Sequence, residues 1–302
     1  MNGVLPLWKP SGMTSHDCVN RLRTILNTKK IGHTGTLDPQ AEGVLPLCIG
    51  QATKISSLLT SEKKTYQAEV SLGKSTDTED QEGKTLEQKK VPDDLSVNQI
   101  DQVLSRFTGE ITQIPPMYSA VKVKGKKLYE YAREGKTVER PARLVTIYSI
   151  NRVTSLKRLD YFDVRFSIQV ECSKGTYIRT LCADIGQALG LPAHMSRLVR
   201  IQAGSFSKND AISFETIEQA KKEGHVESLL VSMDRALQSL DYMTVPQSKQ
   251  KAFLHGQVLP MEGVHPDTDP FRIKSEDNQL LALYQKHPSK PGKMKPYRVF
   301  TN

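Results

Sequence analysis

Apolar residues recur along this chain with two periods, and the switches between them predict its elements. From Ser15 to Asn27 the spacing is helical: Val19, Leu22, Ile25 and Leu26 share a face, Ser15 is placed to cap the start, and Asp17 sits in the first turn. Thr65 to Leu72 alternates, with Tyr66, Ala68, Val70 and Leu72 on one side, and predicts a strand. Ser96 to Phe107 predicts a second helix, with Ser96 and Gln99 as a capping box and a stripe of Val97, Ile100, Val103, Leu104 and Phe107. Strands follow at about 143–152 and 163–172, the second alternating Val164, Phe166, Ile168 and Val170. A helix over about 177–189 ends at Gly190, with Pro192 beyond it.

Strands mixed with a few helices, in no regular βαβ order, predict an α+β fold. After about Leu240 the texture changes. Short strand-like pieces (FRIK, LLALYQ, PYRVF) alternate with turn-rich HPDTDP, SEDN and HPSKPGK, which predicts a large domain over 1–240 and a small β module over 241–302.

Composition narrows the classes. A formal net charge of +9 over 302 residues favours a polyanionic partner, with a solvated basic surface as the alternative. The four cysteines form no CxxC pair and the seven histidines no HxxH or HxxxH spacing, so neither a disulfide framework nor a zinc site is expected. No apolar run approaches ~20 residues and the N-terminus lacks a secretory pattern. The expected location is the cytoplasm, with no membrane association. Gly-Lys-Ser/Thr occurs at Gly73, Gly83 and Gly135, each without the earlier glycine of a phosphate loop, and predicts turns. The stretch from Asp77 to Gly83 has Glu82 and Gln88 where a calcium loop needs glycine and glutamate, and reads as a solvated acidic loop.

Residues 32–50 hold four glycines, two prolines and two carboxylates, Asp38 and Glu42, and read as a loop whose backbone passes close to something. Asp38-Pro39 alone fits a helix N-cap followed by proline at the first helical position. It also fits a carboxylate nucleophile, or one oriented by an arginine. The run Gly32-His33-Thr34-Gly35-Thr36-Leu37-Asp38-Pro39 follows Lys9-Pro10-Ser11-Gly12-Met13-Thr14-Ser15, and Ala41, Gly43, Leu45, Gly50, Ala52, Thr53 and Lys54 come after it. Next come Thr65-Tyr66, Thr76-Asp77-Thr78-x-Asp80-x-x-Gly83 and Pro115-Pro116-x-Tyr118-Ser119-Ala120. Lys174-Gly175-Thr176-Tyr177-Ile178-Arg179 and His194-Met195-Ser196-x-Leu198-x-Arg200 complete the series. Together, in order across roughly 3–215, these segments resemble the TruB family of tRNA pseudouridine synthases, in its bacterial stand-alone form.

The resemblance implies a pseudouridine synthase catalytic domain with a central mixed or antiparallel sheet, and a C-terminal PUA-like RNA-binding module. It implies isomerisation of the T-loop uridine to pseudouridine after base flipping, with no cofactor and no metal. Asp38 matches the catalytic aspartate, leaving open an acylal at C1′ or removal of the C2′ proton to give a glycal. Arg179 matches the arginine that pairs with it. Tyr66 and Tyr177 match the active-site tyrosines, Tyr66 stacking on uracil and taking part in loss of the C5 proton, and Tyr177 lying beside Asp38. His33 matches the histidine that fills the vacated base position, and Leu198 a wall of the base pocket. Lys9, Pro10 and Lys54 shape the active-site loop.

Between residues 119 and 143, Lys122, Lys124, Lys126, Lys127, Arg133, Lys136, Arg140 and Arg143 face three acids, with Tyr129 and Tyr131 interleaved. By place, this resembles the family's insertion that clamps the T arm; alone it fits a solvated hairpin as well. The implied partner is tRNA, through its T stem-loop and, by the C-terminal module, its acceptor arm, and the chain is expected to act as a monomer. Two other classes stay in view: a tRNA-folding chaperone, and a guide-RNA-dependent synthase subunit.

Overall fold

The structure, a computed structural model, describes residues 1–261 and 266–300. His265 at the head of HPDTDP, and residues 301–302 of the proposed module, lie outside the described residues.

Seven strands carry the main sheet: β1 (Gly3–Lys9), β2 (Glu42–Ile49), β3 (Lys64–Leu72), β4 (Gly109–Gln113), β5 (Arg143–Arg152), β6 (Asp163–Cys172) and β7 (Ala193–Ala203). Their order is β1-β2-β7-β3-β6-β5-β4, and three short strands pair along the sides. Every neighbouring pair is antiparallel except β2 and β7. Of the helices, α2 (Val97–Ser105) and α3 (Ile178–Ala188) pack Ile100, Leu104, Leu181 and Ile185 onto Val70, Phe166 and Ile168. Helix α1 (Ser15–Leu26) packs Val19 and Leu22 onto Leu5, Leu45 and Leu47 at the other end. Full burial of each such side chain contributes roughly 1.5–3 kcal/mol.

The predicted strands at β3, β5 and β6 and the three helices are present, and Ser96 with Gln99 does form a capping box. The cap of α1 is Thr14, whose side chain and Asp17 satisfy each other's backbone N–H groups. Ser15 is instead turned inward, where its hydroxyl accepts from the Leu37 N–H at 2.9 Å. Gly73, Gly83 and Gly135 lie at bends and turns.

Gly43 sets the spacing of β2 and β7, the one parallel contact of the sheet. Its φ is +121°, and a Cβ there would lie 2.2 Å from the Arg200 carbonyl oxygen. Gly43→Ala is therefore expected to destabilise the fold by roughly 3 kcal/mol or more, read as a lower urea midpoint with unchanged slope.

A second, five-stranded sheet starts at Tyr242–Val245 and continues through Phe271–Ser275, Leu280–Lys286, Lys293–Val299 and Leu259–Pro260. Phe253, Phe271, Ile273, Ala282 and Tyr284 give it a core of its own. Leu283 and Phe300 join Val4, Val44, Cys48 and Ile55, so the small sheet is packed against the large domain. Among the described residues, no helix is long and apolar enough to cross a membrane.

Candidate active site

Asp38 opens a β-turn rather than a helix: the Ala41 N–H donates to the Asp38 carbonyl at 3.1 Å, and β2 starts at Glu42. The glycine-rich loop is correspondingly shorter than 32–50. Gly32 and His33 belong to a short strand paired with Cys48 and Leu47, and residues 42–49 are β2. Gly43 serves close packing of strands there, which composition does not distinguish from a loop.

The KPSGMTS segment fastens this turn from beneath. Lys9, wholly buried at the end of β1, donates through Nζ to the carbonyls of Pro10 (2.8 Å), Pro39 (3.0 Å) and Ala41 (2.5 Å). The Gly12 N–H donates to the Pro39 carbonyl at 2.9 Å, and Leu37 is held by Ser15. Burial pushes the Lys9 ammonium down, while the Cys18 and Asp38 side chains pull it back.

Arg179, in the first turn of α3, faces Asp38 from the opposite side. Its Nε lies 3.0 Å from Oδ2 and its Nη2 3.4 Å from Oδ1, a two-pronged pair. The remaining donors go to the carbonyls of Thr78 (3.0 Å) and Tyr118 (2.9 Å). The guanidinium is 6% exposed and the carboxylate 39%, so the cation is sealed in while Asp38 opens to the pocket. Gln113 fixes the start of α3: its side chain accepts from the Tyr177 N–H (2.9 Å) and donates to the Tyr177 carbonyl (3.1 Å).

The acidic stretch is not a solvated loop. It wraps behind Arg179: Thr78 supplies a carbonyl, Glu79 accepts from the Thr180 hydroxyl at 2.6 Å, and Asp80 stands 3.7 Å from the guanidinium. Burial pushes the Glu79 carboxyl up. Its partners lie about a hundred residues away in sequence, which is why composition alone reads it as surface.

Asp38, Tyr66, Tyr177, Arg179 and Leu198 line one pocket of about 290 Å³. Tyr66 rises from β3 and Leu198 from β7, both buried. No hydrogen bond joins Tyr177 to Asp38 among the described residues; Tyr177 contributes to the wall. His33 is not among the lining residues: its Nδ1 accepts from the Gly35 N–H at 3.3 Å in the adjoining loop, and burial pushes its imidazole down. Pro10 flanks the Asp38 turn through its carbonyl. Lys54 is away from the pocket, at the junction of the two sheets, where it donates to the Val299 carbonyl at 3.0 Å and its own carbonyl accepts from Arg298.

The basic segment forms a two-stranded hairpin (Lys122–Val123 and Lys126–Lys127) and a short helix, Leu128–Arg133. Lys122, Lys124, Arg133 and Arg143 are exposed. Lys126 pairs with Glu134, Lys127 and Arg133 flank the Tyr129 ring, and Arg140 donates to the Pro115 carbonyl at 3.0 Å. Lys126, Lys127 and Arg140 are thus half-buried and engaged within the protein rather than solvated.

Sequence reasoning assigned no role to Arg200, Lys64 or Gln113. Arg200 and Lys64 line the pocket, whose wall holds the cations Lys64, Lys174, Arg179 and Arg200 against Asp38 as the one carboxylate. Arg200 ends the run His194-Met195-Ser196-x-Leu198-x-Arg200, but nothing in its spacing distinguishes a pocket arginine from a surface one.

Comparison with known proteins agrees with this arrangement. Residues 23–178 match the profile described as TruB family pseudouridylate synthase (N terminal domain), and residues 179–264 the one described as tRNA pseudouridylate synthase B C-terminal domain. The tRNA pseudouridine synthase B of Oceanobacillus iheyensis is 52% identical over 301 residues, covering 99% of this chain and 98% of its own. That of Halalkalibacterium halodurans is 50% identical over 303 residues, covering 100% and 98%. Among solved structures, a chain of a Cbf5–Nop10–Gar1 complex superposes with a TM-score of 0.71 at 30% identity, over 99% of this chain and 84% of that one. A chain of an H/ACA RNP bound to a substrate RNA containing 2′-deoxyuridine gives 0.72 at 27%, over 99% and 85%. The first profile spans Asp38 and Tyr66, the second Arg179 and Leu198, and the pocket joins them: this chain belongs to the TruB family of pseudouridylate synthases.

Proposed function

We propose that this enzyme isomerises the T-loop uridine of tRNA to pseudouridine, with Asp38 as the group that meets C1′. The observation that carries the proposal is the half-open Asp38 carboxylate, held two-pronged by a sealed Arg179 inside a pocket that also presents Tyr66 and Leu198. The family reaction breaks the N1–C1′ bond, turns the uracil and rejoins it through C5. A charged carboxylate aimed into the pocket meets the positive charge that develops at C1′. Tyr66 offers a ring face for the flipped base and an oxygen for its C5 proton.

The T stem-loop is the proposed substrate because relatives about half identical along their length are named tRNA pseudouridine synthase B. The exposed Lys122, Lys124, Arg133 and Arg143 supply phosphate contacts along the stem. Residues 241–302 are proposed as a PUA-like module on the acceptor arm, a reading supported by Lys290, Lys293 and Lys295 gathered about His287. The enzyme is proposed to act alone, as a monomer, in the cytoplasm.

The test is tritium release from C5-labelled uridine in a T stem-loop RNA. Release is expected from the T-loop uridine, and not when cytidine replaces that one position with label kept elsewhere. Release only after addition of a guide RNA would overturn the stand-alone assignment.

A further inference from the structure

Among the described residues, two buried cations in this pocket have no carboxylate in contact with them. Arg200 is 1% exposed; its Nε donates to the Val44 carbonyl (2.7 Å) and its Nη2 to the Gly35 carbonyl (3.3 Å). Lys64 is buried as well, and its Nζ donates to the carbonyls of Thr60 (2.5 Å) and Glu62 (2.6 Å). A charge withdrawn from water without an ionic partner costs several kcal/mol, which packing alone does not require. Both cations flank Tyr66. Arg200 is its cross-strand partner and lines the same pocket, and Lys64 is two residues before it on the same face of β3.

We propose that Arg200 is a positioning residue for the C5 proton transfer: it aims the Tyr66 oxygen and stabilises that oxygen as the phenolate. The inference rests on the pseudouridine synthase reading above. The step it serves follows rejoining, when C5 bears both its proton and the new bond to C1′. The C5–H bond breaks and its proton passes to the Tyr66 phenolate. The bonding pair restores the C5–C6 double bond, the N1–C6 double bond shifts its pair onto N1, and N1 takes a proton from water. The ring then holds the same atoms as before, joined through carbon.

The charged and titratable groups acting on Tyr66 are Arg200 from β7, Asp38 from the turn and Cys172 from β6, and Lys64, Lys174, Tyr177 and Arg179 line the same pocket. Burial pushes the Tyr66 phenol up and Arg200 pulls it back, with Cys172 and Asp38 acting against Arg200. Burial, aided by Arg200, takes the Lys64 ammonium down to about 8, so this second cation loses its charge just above neutrality. Burial still holds the phenol above its ordinary value, and Arg200 is the cation that acts against it.

The experiment compares the wild-type enzyme with Arg200→Gln and Arg200→Lys on T stem-loop RNA carrying hydrogen or deuterium at C5 of the target uridine. Arg200→Gln is expected to lower kcat about 100-fold with KM moved less than about threefold. It should unmask a deuterium isotope effect on kcat and move the alkaline rise of kcat to higher pH, and Arg200→Lys should restore part of all three. Arg200→Gln with no isotope effect and an unmoved pH profile would reduce Arg200 to a strut between β2 and β7. Should Arg200→Gln fail to fold, 3-fluorotyrosine at position 66 in the wild-type background gives the same answer. Its more acidic phenol is expected to move the rise to lower pH, and an unmoved rise overturns the proposal. Wild-type enzyme that releases no C5 label would instead sink the functional reading itself.

Discussion

Asp38→Asn is expected to abolish C5 tritium release, a loss on the order of 10⁴-fold or more in kcat, with T stem-loop affinity at fixed moderate salt within about twofold of wild type. Asparagine keeps the size of the side chain and suits the opening position of the turn closed by Ala41. Lys9, Gly12 and Ser15 hold the turn through main-chain atoms, so none of those contacts is lost. What disappears is the negative charge proposed to face C1′. Arg179 stays in place through the Thr78 and Tyr118 carbonyls, leaving the pocket without its only carboxylate. Binding, which we propose rests on phosphate contacts of the exposed basic segment, should be independent of that change. Normal turnover by the variant would refute the assignment of Asp38. Weak binding with a normal melting temperature would show instead that Asp38 orders the substrate.

The elements legible in the sequence are those with one face in water. β3, β5 and β6 alternate because helices cover one side and solvent reaches the other, as Gln67 and Gln169 show. β1 and β2 escaped notice because they are buried on both faces: Leu5, Leu7, Leu45 and Leu47 face α1, while Val4, Val44 and Cys48 face the junction with the small sheet. β7 carries His194, Ser196 and Arg200 inside the fold, which erases its apolar period. The site divides similarly. Asp38, Tyr66 and Arg179 stood in recognisable segments, and the structure brings them into one pocket. The reversal of Lys54 from loop residue to junction residue, and the burial of the acidic stretch, depend on partners 101 or more positions away, Thr180 and Val299 among them. Local sequence carries no signal of such pairings.

Arg179 is where fold and chemistry meet, and its removal separates them. Arg179→Met strands the Asp38 carboxylate and the carbonyls of Thr78 and Tyr118. A destabilisation of about 3 kcal/mol is expected, at the low end of the usual loss for a buried pair because Asp38 is partly in water. Turnover is expected to fall about 10²–10³-fold, since the carboxylate keeps its charge but loses its aim. Arg179→Lys separates the two effects. Lysine retains the positive charge but is a single compact donor, unable to reach both Asp38 oxygens and two carbonyls. Thermal unfolding and single-turnover tritium release, measured on the same preparations, are the readouts. The expected result is that lysine recovers much of the stability and little of the rate. If lysine restores rate in proportion to stability, charge neutralisation suffices and the two-pronged geometry is incidental. If Arg179→Met melts early yet turns over normally, Arg179 is a strut for the acidic stretch and Asp38 is held by its turn alone.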